Sequence, residues 1–242
     1  MTADAPTILA TSGGYVPGRR LPIEVGPMLR HALQLSNVAS PRVCIVNTAG
    51  GDDPRWQGWC YAALAEAGAR PTHLSVFGMP NVPDITAHLL GCDVIWVGGG
   101  SVANLLALWR LHGIDVAMRA AWEAGVVLGG VSAGSLCWHV GGTTDSFGPD
   151  LQPVTNGLGL LPHSNTPHYN SEAQRRPAYQ GLVAAGTLPD GWATDDGTGL
   201  LFRGTELADC VADRAEAFCW RVARDGDQAV ETRITPRLLT GA

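Results

Sequence analysis

The residues best suited to chemistry stand at Gly130-Val131-Ser132-Ala133-Gly134, a G-x-S-x-G pattern. It follows the apolar run Val126-Val127-Leu128 and precedes Ala133–Val140, which reads as a helix. Small residues on both flanks permit a sharp strand-to-helix turn that lifts a serine hydroxyl above the C-terminal edge of a sheet. The Ala133 N–H and the new helix's N-terminus would then face charge developing on a carbonyl under attack. The competing role for such a serine is a plain helix cap in a glycine-rich turn.

A nucleophilic serine needs a base. Downstream of Ser132 the sequence offers only His139, His163 and His168. His139 lies along the same expected helix, roughly 10 Å away by the helical rise, and reads as a packed or surface residue. His163 and His168 fall in an irregular segment that can return to the elbow. Pro167 stiffens the backbone before His168, which is the favoured base, while His163 reads as a solvent-exposed loop residue. The orienting acid stays open among Asp145, Glu172 one helical turn beyond His168, and Asp195-Asp196, which reads equally well as a turn former before Gly197. The chain order Ser–Asp–His is shared with α/β-hydrolases. Compression of the set into 132–168, with no lid-sized insertion after it, tells against that family.

A second cluster, Gly98-Gly99-Gly100-Ser101, closes one apolar run and opens a helical one. Its unencumbered N–H groups suit the other half of an oxyanion hole, with Ser101 as an ordinary helix cap. No G-x-G-x-x-G accompanies it, so a dinucleotide site is not indicated.

Positioning these groups requires alternating strands and helices. Short apolar runs at 7–10, 43–48, 72–77, 93–97 and 126–131 read as strands of a parallel sheet, with helices near 24–36, 55–68, 84–90 and 101–123. Glycine, proline, threonine and asparagine dominate 141–167, which reads as irregular, followed by a helix around 172–185. The tail, at 200–202, 208–212, 217–222 and 230–234, alternates like short antiparallel strands. Neither a repeat nor a linker interrupts the chain, so a single α/β domain over 1–242 is expected.

Composition narrows the function classes. The chain has 242 residues, 45% hydrophobic and 16% charged, which argues against disorder. All sixteen basic residues are arginine, and without lysine there is neither a Walker-A loop nor a Schiff base. A net charge of −6 with no basic run disfavours nucleic acid, and no apolar stretch reaches the ~18 residues of a membrane span. The start, Met-Thr-Ala-Asp-Ala-Pro, lacks the features of a signal peptide, so a cytoplasmic location is expected. The six cysteines form no C-x-x-C pair and read as buried thiols, with no zinc site. The eight tryptophans read mainly as core.

The glycine triplet, the Gly-Val-Ser-Ala-Gly elbow, Thr143-Thr144-Asp145, Pro167-His168-Tyr169 and the later Ala193-Thr194-Asp195-Asp196-Gly197 run together resemble the peptidase E family of serine peptidases, the α-aspartyl dipeptidases, over about 7–222. The resemblance implies a class I glutamine amidotransferase-like (flavodoxin-like) α/β fold with serine in place of cysteine. It implies Ser132 as nucleophile, His168 as base, Asp145 as acid, and the N–H groups of Gly99 or Gly100 and Ala133 as oxyanion donors. It further implies a small-peptide substrate with N-terminal aspartate, no metal or cofactor, and a homodimer. Arg175 and Arg176 are the candidates for the substrate carboxylate, since an arginine fork suits one. Two departures stand out. Ser101 replaces the family's usual asparagine, and neither arginine aligns cleanly with the family's basic residues. A cyanophycinase-like hydrolase of β-linked aspartyl-arginine and a non-catalytic binding module are the competing readings. A glutaminase would need cysteine at the elbow, and Cys137 comes too late.

Overall fold

Alternation within the apolar runs decides how the layers assemble in the computed structural model, which describes residues 5–239. Strand β1 (Thr7–Thr11) leads into a ribbon of β2 (Tyr15–Pro17) and β3 (Ile23–Val25), then α1 (Pro27–Leu35) and β4 (Arg42–Val46). There follow α2 (Pro54–Glu66), β5 (Arg70–Leu74), α3 (Ile85–Leu90), β6 (Val94–Val97), α4 (Val102–Leu111), α5 (Ile114–Glu123) and β7 (Val127–Val131). Beyond the serine come α6 (Ala133–Leu136), β8 (His139–Thr144), β9 (Gln152–Val154), β10 (Leu161–Thr166), α7 (Arg175–Ala184) and β11 (Gly191–Thr194). The rest is β12 (Thr198–Arg203), β13 (Glu206–Ala212), β14 (Cys219–Asp225), β15 (Gln228–Ile234) and β16 (Arg237–Leu238).

Strands β1, β7, β6, β4 and β5 lie side by side and parallel, and β12 extends this sheet antiparallel to β1, followed by β13 and β16. Side chains alternate across a strand. Ile8, Cys44, Val46, Ile95 and Val97 therefore meet α3, α4 and α5 on one face. Leu9, Val43, Ile45, Val94 and Trp96 meet α1 and α2 on the other. Each large side chain buried this way contributes about 1.5–3 kcal/mol before chain entropy is counted. The result is the expected α/β architecture, a doubly wound sheet whose ligand edge lies beyond the C-terminal ends of its parallel strands.

The second sheet, in the order β15-β14-β11-β10-β8-β9, is parallel at its centre, where β10 lies between β8 and β11. This corrects the expectation of an irregular stretch over 141–167. The helix after Ser132 ends at Leu136, and the expected helix at 101–123 is two helices, α4 and α5, parted at Gly113 with φ +69°. Ser101 caps α4 by accepting the Asn104 N–H at 3.2 Å, as expected of it. All six cysteines are buried free thiols. Among the described residues, no helix is long and apolar enough to cross a membrane.

Candidate active site

Ser132 has φ 58° and ψ −114°, a left-handed conformation that costs a non-glycine residue on the order of 1–3 kcal/mol. Neighbouring bonds hold it there. Its N–H donates to Thr11 O at 3.1 Å, and its carbonyl accepts the N–H groups of Ser135 and Leu136, each at 2.9 Å. The flanking glycines are steric requirements: a Cβ on Gly134 would sit 2.2 Å from Val97 O, and one on Gly130 would sit 2.5 Å from Gly134 O. Gly99 abuts the serine, since a Cβ there would lie 3.2 Å from Ser132 Cβ. Gly98 and Ser101 donate to Val46 O and Ala49 O at 3.0 and 2.9 Å, whereas among the described residues the N–H groups of Gly99, Gly100 and Ala133 reach no backbone acceptor. Gly99 packs against Ser132 and Gly100 lines the same cleft, so N–H groups without a backbone acceptor stand beside the serine.

The topology of the second sheet brings His168 to the same edge. Because β10 lies between β8 and β11, residues just past its end are flanked by those just past the other two. Asp145 stands on one side and Asp195-Asp196 on the other. The imidazole bonds to the second side, with His168 Nδ1 and Asp196 Oδ1 2.6 Å apart. Backbone bonds explain the choice. The Tyr169 N–H donates to Thr194 O at 3.0 Å, and the Asp196 N–H donates to Asn170 Oδ1 at 2.9 Å, zipping 168–170 onto the β11 side. His168 itself has φ 58°, and its N–H donates to Ser12 Oγ at 3.1 Å. In the structure neither Asp145 nor Glu172 orients the imidazole, a correction to the sequence expectation. Asp145 is solvent-exposed, and the Glu172 carboxylate is engaged elsewhere.

Ser132, His168, Gly100, Ser101, Asp145, Ser146, Glu172 and Arg175 line a cleft of about 420 Å³. Arg175 is 4% exposed. Its Nε and Nη2 donate to Glu172 Oε2 at 3.0 and 2.6 Å, and its Nη1 donates to Thr143 O and Oγ1 at 3.1 and 3.3 Å. A guanidinium carries five N–H groups, so one Nη2 hydrogen stays uncommitted. Arg176 does not share the cleft. It stacks over Trp220 at 4.1 Å and Tyr169 at 4.9 Å, and pairs with Glu231 at 3.0 Å.

His139 sits on β8 rather than on a helix, fully buried and edge-on to Phe202 at 5.7 Å, and has no part in the cleft. His163 packs beside Trp192. One contributor, Ser12, was not singled out in the sequence, and another, Thr143, entered only as part of the Thr143-Thr144-Asp145 motif. Ser12 bonds both His168 and Thr194, and Thr143 Oγ1 receives Arg175; only the glycine pair after Ser12 hinted at a special turn. The Asp195 carboxyl is raised above its ordinary range, chiefly by burial, and accepts Phe218 N–H and Trp220 Nε1 at 3.0 and 3.1 Å. Cys44, His88 and Cys92 bring three soft ligand atoms within 4.8 Å of one another, a grouping missed in the sequence, but none of them lines the cleft.

Residues 8–209 match the family described as Peptidase family S51. The chain is 40% identical over 210 residues to an uncharacterized peptidase, YgaJ, of Bacillus subtilis (strain 168), spanning 87% of this chain and 90% of that one. It is 29% identical over 168 residues to Peptidase E of Citrobacter koseri, spanning 68% and 69%. A peptidase from an acI-B1 Actinobacterium superposes with TM-score 0.69 at 17% identity, covering 96% of this chain and 95% of that one. A putative peptidase E from Listeria monocytogenes EGD-e gives 0.59 at 17% identity, covering 94% and 98%.

Proposed function

This chain belongs to peptidase family S51, and from that membership we propose that it is a serine dipeptidase acting on small peptides with N-terminal aspartate. The observation that carries this reading is the strained Ser132 set against the free N–H groups of Gly99 and Gly100, in one cleft with a histidine whose Nδ1 is held by Asp196. With Nδ1 so occupied, Nε2 is the nitrogen left to receive the Ser132 proton. Ser132 Oγ then attacks the scissile carbonyl, and the oxyanion is held by the N–H groups of Ala133 and of Gly99 or Gly100. His168 returns the proton to the leaving amine, and water repeats the cycle on the acyl-enzyme. Asp196 stabilises the imidazolium that forms in between.

For the substrate, Asp145 and Glu172 offer carboxylates to a free α-ammonium, and Arg175 offers its remaining N–H to an acidic side chain. A lone N–H makes the aspartate preference weaker than a free arginine fork would.

The test is hydrolysis of Asp-Leu, Glu-Leu, Asn-Leu, Ala-Leu and β-Asp-Arg, with Ser132→Ala as control. Serine-dependent cleavage, fastest for Asp-Leu, is the expected outcome. Cleavage of β-Asp-Arg alone would shift the reading to a cyanophycinase-like hydrolase. No cleavage, together with no labelling of Ser132 by a fluorophosphonate, would leave a non-catalytic binding module.

A further inference from the structure

A second cavity, about 360 Å³, opens on the far side of the Gly99–Ser132 ridge, lined by residues that include Tyr15, Asn47, Trp56, Trp96, Gly99 and Val131. Tyr15 opens β2 a few residues past β1, Asn47 follows β4, Gly99 follows β6 and Val131 ends β7, so the cavity sits over the same strand edge as the serine. Its walls are aromatic: Tyr15 and Trp56 meet edge-to-face at 5.9 Å, and Trp96 lies against Gly14, where a Cβ would come within 2.9 Å of the indole. Gly99 is shared in effect by both spaces, since it lines this cavity and abuts Ser132.

Asp53 adds the one charged group among the lining residues.

We propose that this cavity is the subsite for the leaving residue of the peptide substrate and that it selects a large apolar or aromatic side chain. The assignment rests on the dipeptidase reading. If the charged cleft takes the N-terminal residue, with its ammonium and carboxylate, the residue across the ridge from it has the aromatic cavity. Trp56, half-exposed at the cavity mouth, is the residue that sets the preference.

The experiment compares kcat/KM for Asp-Phe, Asp-Leu and Asp-Gly in the wild type, Trp56→Ala and Trp56→Leu. The wild type prefers Asp-Phe over Asp-Gly by at least ~10-fold, and Trp56→Ala brings the ratio to within about threefold of unity. Trp56→Leu falls between. Each ratio is read on one preparation, so a loss of folded protein cancels. An unchanged ratio in Trp56→Ala, or no preference in the wild type, overturns the proposal. A preference that follows the N-terminal residue instead also overturns it. If no dipeptide is hydrolysed, the dipeptidase reading fails, and tryptophan emission titrated with L-phenylalaninamide and glycinamide decides the subsite separately. Quenching by the first alone, abolished in Trp56→Ala, supports it. Equal or absent quenching refutes it.

Discussion

Replacing Asp196 by asparagine tests the central contact of the proposed site. The carboxylate oxygen lies 2.6 Å from His168 Nδ1, the short distance of a charge-assisted hydrogen bond. When the imidazole takes the serine proton, the pair becomes an ion pair. Unit charges about 4 Å apart near a protein surface interact by about 4 kcal/mol at an effective dielectric of 20. Side-chain exposures of 23% and 35% mean that solvent screens part of this, which leaves roughly 2–4 kcal/mol. At about 1.4 kcal/mol per decade, that is a loss of on the order of 30- to 1000-fold. Asparagine can also donate to Nδ1 and favour the wrong tautomer, which extends the upper limit toward ~10⁴. The assay is the second-order rate of fluorophosphonate labelling at Ser132, which needs no knowledge of the natural substrate. Asp145→Asn, measured alongside, should stay within about tenfold of the wild type because Asp145 is exposed and does not bond the imidazole. Asp196→Asn labelling at more than a third of the wild-type rate, or Asp145→Asn losing as much as Asp196→Asn, would refute the reasoning.

Two further outcomes follow from the geometry. His139 is fully buried, neither ring nitrogen has a partner, and burial pulls its pKa down to about 3. The unfolded chain therefore binds this proton first as pH falls, so the stability is complete above about pH 6.5 and drains away from there to about pH 3. Urea melts at pH 7.5 and 5 should show His139→Leu losing about 2 kcal/mol less than the wild type, and parallel losses would contradict the buried neutral imidazole. Gly99→Ala sets a methyl group 3.2 Å from Ser132 Cβ and 3.5 Å from Val131 O. It should lower the labelling rate about 10- to 100-fold while leaving the thermal melt within a few degrees, and equal labelling would remove Gly99 from the oxyanion hole.

The parallel centre was legible because its strands are short, apolar and alternating, and the elbow because its glycines are forced by contacts with Val97 O. The stretch over 141–167 was misread for a related reason. Gly141, Gly142 and Gly157 lie where a Cβ would come within 2.1, 1.8 and 2.0 Å of neighbouring carbonyl oxygens. Here glycine marks strands pressed together, yet in a sequence it reads as a loop. The acid was hard to choose because β10 has a carboxylate beyond the strand on each side. Only the Thr194 and Asn170 hydrogen bonds decide which of them the histidine meets, and no local pattern encodes those. Arg176 was misplaced because adjacent helical residues face different ways, one into the cleft and one onto Trp220.

Thr11 and Ser12 sit near the beginning of the chain and serve parts of the site from opposite directions. Thr11 O takes the Ser132 N–H, Ser12 Oγ takes the His168 N–H, and Ser12 bonds through its backbone to Gly197 and Thr198. A ribosome delivers these partners at widely separated times. The serine emerges with its turn only half-supported, the histidine arrives later, and the strand that locks Ser12 comes last of all. An unfinished chain therefore carries the Ser132 turn without all of the partners that fix the two sides of the cleft. A chain cut before Thr198 would therefore leave Ser12, and through it the His168 turn, without the segment that ties it in place.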